Sequence, residues 1–374
     1  MLPTDSNVEE ILPTTPLLIR FGRIGDMVLQ TPLLHILHRR FGRPCRLLTS
    51  GSWSEALFAG NQDVGEIWQP RARHLPFLLS PARWRLVGRL RRHAGPIYVS
   101  EDSGRQLSKI RRLIRLSAIR PERCVFLPES NGTETHWVDR LLCLGKMTPS
   151  ALRADDYPWR PEDVWSAPRL DIRAEDRADR EAWLRRRGLS GRPLVLLQPG
   201  NKRAIKWGRA RLEHSKVWPI ASWAALLRAM HAVIPGARLM LCGAAREEGL
   251  LHDIRREANV DCIEIAAADL PLRRALAVME IAHSMVAVDT GPAHIAAAVG
   301  CPLVVLYGAE SPQVWGRRSV MNRPVIEIGG PPELQAVGQI SLDRVLTAWL
   351  SIAHRTHDGS RRSSSCVSTA SNFA

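Results

Sequence analysis

Short apolar runs alternate with amphipathic segments along most of the chain, and the alternation falls into two stretches. In the first stretch, residues 17–21 form an apolar run with one arginine, and a glycine turn follows at residues 22–26. Leucines then recur at helical spacing over residues 27–40, so the pattern predicts a strand, a turn and a helix. It also predicts strands at 46–49 and 97–100, and basic amphipathic helices at 83–93 and 105–120.

The second stretch begins at Pro193 and alternates five apolar runs with four helical segments. The predicted strands are 194–197, 238–242, 262–265, 285–288 and 303–307, and the predicted helices are 220–233, 247–258, 272–282 and 292–299, with a last helix at 342–354. Alternating strands and helices predict a parallel sheet with helices on both faces. Two α/β halves of this kind place a ligand site in the cleft between them, at the carboxyl ends of the strands.

Composition marks the ends of the chain and the junction of the two halves. Residues 1–15 and the Ser-rich residues 355–374 bury too little apolar surface to offset the entropy of ordering, which predicts disorder in both. Prolines interrupt the chain from Pro149 to Pro168, and a polar helix is predicted at 174–187. We expect an N-terminal Rossmann-like domain at 16–170, a linker at 171–192, a C-terminal Rossmann-like domain at 193–340 and a closing helix at 341–354.

The net charge of +15 attracts anions such as nucleic acids, anionic lipid surfaces or phosphorylated small molecules, and it does not choose between them. Asp5, Glu9 and Glu10 precede the first apolar run, unlike the residues of a secretory signal. No apolar stretch reaches the roughly 18 residues that a membrane span requires. We therefore expect a soluble, cytoplasmic protein.

Seven cysteines are scattered along the chain without any Cys-x-x-Cys pair. Several lie inside apolar runs, as Cys242 does after Met240 and Leu241. This distribution favours buried, reduced thiols over disulfides or a zinc site.

The strand predicted at 285–288 ends in Asp289, Thr290 and Gly291, and Pro292 opens the next helix. Proline fits the first turn of a helix, where free N–H groups and the positive end of the helix dipole point away from the sheet. With the Thr290 hydroxyl as an added donor, the turn predicts a phosphate site. An ordinary strand-to-helix turn with a capping Asp has the same pattern.

Lys216 lies just before Pro219 and the helix predicted at 220–233. A lysine at this position can neutralise a diphosphate as it leaves. The preceding loop follows the carboxyl end of a strand and should therefore lie over the cleft, although a charge run is commonly a solvated face. Its basic residues are Lys202, Arg203, Lys206, Arg209 and Arg211.

Two carboxylates lie at further turns between a strand and a helix. Glu247 follows Gly243 and can accept hydrogen bonds from ribose hydroxyls, or it can complement the dipole at the start of a helix. Asp26 ends the first glycine turn, where an Asp is most often a helix cap. A carboxylate held at the mouth of a cleft can instead act as a general base toward a hydroxyl group.

Together these segments resemble glycosyltransferase family 9, the bacterial lipopolysaccharide heptosyltransferases, over roughly residues 17–349. The resemblance is clearest at residues 20–26 with Thr31 and Pro32, at 136–140, at 216–219, and at 289–294 followed by Gly300, Tyr307 and Gly308. Each motif is weak alone, but their order and spacing are specific. The resemblance implies a GT-B type α/β fold, in which two Rossmann-like domains with parallel sheets face a central cleft. It implies that the N-terminal domain binds the acceptor and the C-terminal domain the nucleotide sugar.

The resemblance also implies roles for individual residues. The catalytic base falls on Asp26, and the residue that binds the ribose falls on Glu247. The residues expected to hold donor phosphate are Lys216, Thr290 and Gly291, with Asp289 and His294 beside them. We expect further acceptor or phosphate contacts at Arg23, Lys202 and Arg203.

The expected reaction is a single inverting displacement without a metal ion. No Asp-x-Asp motif lies at a strand end, and Asp155 and Asp156 lie in the Pro-rich segment. Cationic side chains and a helix dipole would then stabilise the leaving diphosphate. We expect no cofactor, because the nucleotide sugar is a substrate, with an ADP sugar favoured and ADP-heptose as one such donor.

The expected partners are this donor and a glycan or glycolipid acceptor, such as a lipopolysaccharide core or another cell-surface glycan. The basic helices also suit peripheral contact with the cytoplasmic face of an anionic inner membrane. The loop at 201–215 is longer and more basic than in the well-known heptosyltransferases, so another sugar or a more anionic acceptor stays open.

Three other functions fit parts of the sequence. The charge suggests a nucleic-acid-binding protein, but no nucleic-acid motif is present and the tryptophans are dispersed, so we expect no nucleic-acid partner. A non-catalytic nucleotide-binding relative is a second alternative, against which Asp26 argues. A nucleotide-sugar epimerase, which shares the architecture, is the third.

Overall fold

The computed structural model describes residues 15–364, apart from residues 71–79, 103, 130–133, 202–204, 207–208 and 211–213. Within these residues, two parallel sheets of five and six strands are each covered by helices on both faces. The α/β fold class with two Rossmann-like units, predicted from the alternation of strands and helices, is confirmed.

The first sheet has the spatial order β3-β2-β1-β4-β5, and all its strands are parallel. Its strands are β1 (Leu17–Ile19), β2 (Cys45–Leu48), β3 (Val64–Trp68), β4 (Ile97–Val99) and β5 (Cys124–Phe126). The helices of this half are α1 (Ile24–Val28), α2 (Thr31–Phe41), α3 (Ser54–Leu57), α4 (Pro81–Arg92), α5 (Gly104–Leu116) and α6 (Trp137–Lys146).

The central strand β1 is buried on both faces, which explains its unbroken apolar sequence. Leu18 points into the core formed with α2 and α6, whereas Leu17 and Ile19 point into the core formed with α4 and α5. The basic helices α4 and α5 therefore cover the same face of the sheet, and their polar sides lie on the outside of this half.

The second sheet has the spatial order β10-β9-β6-β11-β12-β13, again all parallel. Its strands are β6 (Leu194–Gln198), β9 (Arg238–Cys242), β10 (Ile263–Ala266), β11 (Ser284–Val288), β12 (Leu303–Tyr307) and β13 (Val325–Gly329), and β7 (Ile205–Lys206) and β8 (Arg209–Ala210) form a separate antiparallel pair. The helices are α7 (Ala174–Arg186), α8 (Ile220–Val233), α9 (Glu248–Ala258), α10 (Leu272–Ile281), α11 (Gly291–Ala298), α12 (Pro312–Trp315) and α13 (Leu342–Ser364).

One apolar cluster extends through both halves of the molecule. It joins Leu33 and Leu37 of α2 and Trp137 of α6 to Ile295 of α11 and Leu276 of α10. The contact between α1 and α11 lies within this shared region. Because α1 follows the carboxyl end of β1 and α11 follows that of β11, this contact brings the carboxyl ends of these two strands near each other.

Two predicted elements differ from the structure. The helix predicted over 27–40 is divided into α1 and α2, because Pro32 has no N–H to donate to the Val28 carbonyl, and the Thr31 hydroxyl donates to it instead at 2.9 Å. The closing helix predicted to end at residue 354 continues to Ser364, so residues 355–364 of the predicted disordered tail are helical. Extending a helix that already exists costs far less than starting one.

Across the residues that the structure describes, no helix has the length and apolar character needed to cross a membrane.

Candidate active site

The turn between β11 and α11 forms one side of the cleft. Thr290 is the N-cap residue with extended backbone, Gly291 begins the helix and Pro292 occupies its second position. The Thr290 side chain makes no capping hydrogen bond, and its hydroxyl oxygen is buried without a partner among the described residues. A buried hydroxyl and the first N–H groups of α11 are therefore available as donors to an anion.

Asp289 lies directly before this turn and is held by two cations from distant parts of the chain. Lys216 donates from Nζ to Oδ2, and Arg317 donates from Nη2 to Oδ1 at 2.5 Å. Burial opposes ionisation of this carboxyl, but the charges of Arg317 and Lys216 outweigh it and hold the pKa of Asp289 below its usual range. Asp289 is therefore a carboxylate at neutral pH, and its contact with Lys216 places that lysine beside the Asp289–Thr290 turn.

The sequence pattern gave no role to Arg317, which lies beneath the same turn. Its guanidinium is fully buried and also donates to the Thr290 carbonyl at 3.1 Å and to the Tyr307 hydroxyl. Its backbone N–H donates to Glu327 at 2.7 Å. The only sequence signal was a pair of arginines at 317 and 318, ten residues after the end of the buried strand β12.

His294 lies on the first turns of α11 and is almost completely buried. Burial and the nearby charge of Arg317 lower the pKa of His294 well below its ordinary value, so the imidazole is neutral at pH 7. It packs against α1 of the other half, because a Cβ atom on Gly25 would lie 2.7 Å from its Cδ2 atom. His294 thus lies where the two halves meet.

Asp26 lies on α1, at the opposite side of the cleft from the Thr290 turn. Its Oδ2 atom accepts from the Arg23 N–H at 2.7 Å, so the side chain does cap α1 as one interpretation of the sequence held. The Nη2 atom of Arg20 lies 3.6 Å from Oδ1, and about a quarter of the Asp26 side chain stays exposed at 26%. One carboxylate thus caps a helix while facing solvent at the cleft. The role of Asp26 as a general base stays a prediction.

Arg20 forms an ion pair with the Asp26 carboxylate. It is buried, it donates to the Ser100 carbonyl at 2.7 Å and to Glu101 at 3.2 Å, and it stacks over the Trp137 ring at 5.1 Å. The carboxylate of Asp102 lies 3.9 Å from its Nη1 atom. Arg20 is therefore fixed by several partners, and Asp26 is the one of them on α1.

A close approach of glycines brings the two sides of the site together. A Cβ atom on Gly25 would lie 3.5 Å from the Gly291 Cα atom, and one on Gly291 would lie 3.4 Å from the Gly25 nitrogen. The backbones of α1 and α11 thus touch at their first turns. Asp26 and Thr290, each adjacent to one of these glycines, consequently lie close to each other where the two halves meet.

Glu247 is buried at the carboxyl ends of β6 and β9. Its Oε2 atom accepts from the Ala244 N–H at 2.8 Å, and a Cβ atom on Gly200 would lie 2.8 Å from its carboxyl carbon. This contact is the helix-start interaction that the sequence offered as one of two interpretations. Binding of a ribose by Glu247 stays a prediction.

The remaining predicted contacts divide between exposed and undescribed residues. Arg23 is the exposed N-cap residue of α1, next to Asp26 in space. Lys202 and Arg203 lie outside the residues that the structure describes. No group of three or more His, Cys, Asp or Glu side chains is placed to hold a metal ion in the described parts of the chain.

The start of α6 binds directly to the segment that contains Arg317. His136 accepts the Val138 N–H at Nδ1, which leaves the proton on Nε2 to donate to the Gly316 carbonyl at 3.0 Å. The Trp137 ring stacks on Trp315 with ring centroids 4.8 Å apart. Arg318 pairs with both carboxylate oxygens of Asp139, each at 2.6 Å. The 136–140 motif therefore connects the N-terminal half to the turn that holds Asp289.

Gly25→Ala is expected to lower the free energy of unfolding by roughly 1–3 kcal/mol, because the new methyl group would press against His294 and separate α1 from α11. Gly236→Ala is the matched control, since a Cβ atom at that position meets nothing within 4 Å. Urea denaturation of both variants measures the difference. Equal stability of the two would show that α1 and α11 do not touch.

Comparison with known proteins relates the chain to a family of glycosyltransferases. Residues 151–332 match glycosyltransferase family 9 (heptosyltransferase). The chain is 24% identical over 301 residues to lipooligosaccharide heptosyltransferase 2 of Haemophilus influenzae, covering 78% of this chain and 82% of that protein.

Two solved structures from Escherichia coli share the fold. ADP-heptose lipopolysaccharide heptosyltransferase II has a TM-score of 0.69 at 21% identity, and the match covers 92% of this chain and 100% of that one. Heptosyltransferase WaaC with ADP has a TM-score of 0.64 at 16% identity, and the match covers 91% and 100%. These likenesses confirm the GT-B type arrangement. Residues 151–332 therefore form a glycosyltransferase family 9 domain, and the chain is a glycosyltransferase.

Proposed function

We propose that this enzyme transfers heptose from ADP-heptose to an acceptor of the lipopolysaccharide core. The names of its relatives support this choice, since they are heptosyltransferases of lipooligosaccharide and lipopolysaccharide, and one similar structure contains ADP. The observation that carries the proposal is the single cleft in which a carboxylate of one half faces an anion-binding turn of the other.

The donor diphosphate would bind at the start of α11. The Thr290 hydroxyl and the Gly291 N–H are buried or backbone donors that need no rearrangement to meet an oxyanion. Lys216 adds a positive charge at the same turn. Neutral His294 can donate or accept a hydrogen bond beside them, and Glu247 would bind the ribose at the neighbouring strand ends.

Asp26 would act as the general base in a single inverting displacement. It takes the proton of an acceptor hydroxyl while that oxygen forms a bond to the anomeric carbon of the donor. The bond from this carbon to the phosphate oxygen breaks, and ADP leaves with the electron pair. General-base catalysis of this kind contributes about 10²–10⁴-fold to the rate.

The charge that develops on leaving ADP would be stabilised without a metal ion or cofactor. Lys216 lies at the donor turn, and Arg317 lies directly beneath it. Fixed cations and helix N–H groups perform the electrostatic role that a divalent ion has in other phosphate-releasing enzymes.

The acceptor half would contact an anionic membrane from the cytoplasmic side. Residues 67–121 contain thirteen Arg and Lys residues and only two acidic residues, Glu101 and Asp102, both of which lie beside Arg20. The outer sides of α4 and α5 are therefore almost purely cationic, and the exposed Trp84 lies among them. Each basic residue near an anionic surface contributes about 1 kcal/mol of attraction. Arg23, exposed at the cleft, would contact the acceptor itself.

Asp26→Asn is expected to lower kcat by about 10²–10⁴-fold, because the amide keeps the cap on α1 but cannot accept the proton. Release of ADP from ADP-heptose in the presence of a truncated lipopolysaccharide core measures turnover. Calorimetry measures the Kd of ADP, which should stay within about twofold of the wild-type value. Asp102→Asn is the matched control, a second carboxylate beside Arg20 that is not on α1. If Asp26→Asn turned over as fast as this control, Asp26 would not be the general base.

The same turnover assay in excess EDTA is expected to give the full rate, because side chains and N–H groups neutralise the diphosphate. Re-addition of Mg²⁺ or Mn²⁺ serves as the control for incomplete chelation. Loss of activity in EDTA that either ion restores would contradict the metal-free mechanism.

Sedimentation with lipid vesicles tests the membrane contact. Vesicles that contain phosphatidylglycerol should retain the protein at low salt and release it as salt is raised, whereas neutral phosphatidylcholine vesicles should not retain it. Replacing Arg111, Arg112 and Arg115 of α5 by Gln should weaken retention. The charge-matched control replaces three exposed arginines away from α4 and α5, namely Arg160, Arg185 and Arg192. Equal retention of both triple variants would place the contact elsewhere.

A further inference from the structure

Arg317 is buried beside the turn at residues 289–291, where the donor diphosphate is proposed to bind. Its side chain is 0% exposed, and the guanidinium lies between Asp289 at 2.5 Å, the Thr290 carbonyl at 3.1 Å and the Trp315 carbonyl at 3.4 Å. It also donates to the Tyr307 hydroxyl and lies 5.0 Å from the centre of that ring. A guanidinium with this many partners has no room to turn toward a ligand.

Lys216 binds the other oxygen of the Asp289 carboxylate, but it is held less tightly than Arg317. Its side chain is 11% exposed, and among the described residues its second ion-pair partner is the half-exposed Glu310 at 3.8 Å. A lysine ammonium is a compact charge on a flexible stem, so it can exchange one anion for another nearby. Asp289 therefore has one immobile cation and one cation that is able to move.

The charges at this turn set a requirement for binding a diphosphate. An unneutralised Asp289 beside the diphosphate would repel it, and a buried carboxylate with a single cation would keep that cation for itself. With Arg317 in place, Asp289 stays neutralised even when Lys216 turns away. Glu327 accepts from the Arg317 N–H at 2.7 Å and from the Tyr307 hydroxyl at 2.9 Å, and these bonds help to hold Arg317 in place.

We propose that Arg317 is the permanent counter-ion of Asp289, and that it thereby releases Lys216 from Asp289 to bind the diphosphate of the donor. Arg317 is a positioning residue in this scheme, since it acts through Asp289 and Lys216 and does not contact the donor. The proposal rests on the proposed function, which places the diphosphate at the start of α11. The proposal also explains why two cations, Arg317 and Lys216, lie at that turn.

The test is a charge-rescue experiment that measures the Kd of ADP by calorimetry. Arg317→Met should weaken ADP binding by at least about tenfold, because Lys216 must then stay on Asp289. Lys216→Ala should weaken it to a similar extent. Asp289→Asn should bind ADP as tightly as the wild type or more tightly, since it removes the competing anion. The double variant Asp289→Asn with Arg317→Met should return to within about threefold of the wild-type Kd.

A purely structural role for Arg317 gives the opposite result in the double variant. If Arg317 only packs the turn, adding Asp289→Asn cannot restore what Arg317→Met lost, and the double variant binds ADP as weakly as Arg317→Met or more weakly. That outcome overturns the proposal. If Arg317→Met does not fold, Asp289→Asn and the double variant still decide, because weaker ADP binding by both would also overturn it.

A buried arginine elsewhere supplies the matched control. Arg180 is 7% exposed and pairs with Glu280 at 2.9 Å between α7 and α10, outside the cleft. Arg180→Met and Arg180→Met with Glu280→Gln should lower thermal stability while leaving the Kd of ADP within about twofold of the wild type. A wild-type protein that binds no ADP would refute the proposed function itself, whereas normal ADP binding without rescue refutes only the role of Arg317.

Discussion

The contact between the first turns of α1 and α11 is the constraint on which the rest of the site depends. Gly25 and Gly291 let the two backbones approach to a distance at which a Cβ atom on Gly25 would lie 2.7 Å from the His294 ring. Because Asp26 and Thr290 are each adjacent to one of these glycines, the contact fixes the two residues relative to each other. The Asp26 carboxylate of one half and the Thr290 turn of the other thus lie close together without belonging to one domain.

Each side of the cleft uses a buried arginine in the same way. Arg20 supports Asp26 in the N-terminal half, and Arg317 supports Asp289 in the C-terminal half. Both guanidiniums are buried and donate to carbonyl oxygens, and each lies over an aromatic ring. Buried positive charge holds the Asp26 and Asp289 carboxylates in place, at the positions where the proposed chemistry needs a base and a neutralised phosphate site.

The two arginines are also connected through tryptophan. Arg20 lies over Trp137, Trp137 stacks on Trp315, and the chain reaches Arg317 two residues later. The ion pair of Asp139 with Arg318 and the hydrogen bond from His136 to Gly316 strengthen the same junction. A motif that the sequence presented as a family resemblance is thus a structural joint between the two halves.

Periodicity determined the elements of this protein, because strands buried on both faces and amphipathic helices have distinct patterns that a sequence displays directly. The turns at Asp26, Glu247 and Asp289 were also visible, since glycine and proline mark where a strand ends and a helix begins. The short edge strands β3, β5 and β13 were not predicted, since their half-exposed residues alternate weakly. The break between α1 and α2 was also not predicted, because the pattern does not show that Pro32 leaves the Val28 carbonyl without an N–H partner.

Only the tertiary structure decided which charges meet. Lys216 and Asp289 are 73 residues apart, and Arg317 and Asp289 are 28 apart, so no local pattern joins them. In a chain with 52 basic residues, one buried arginine cannot be distinguished by type from the many that face solvent. Burial gives Arg317 its significance, because a charge removed from water must be paired, and the identity of its partner follows from the packing of two strands and a turn.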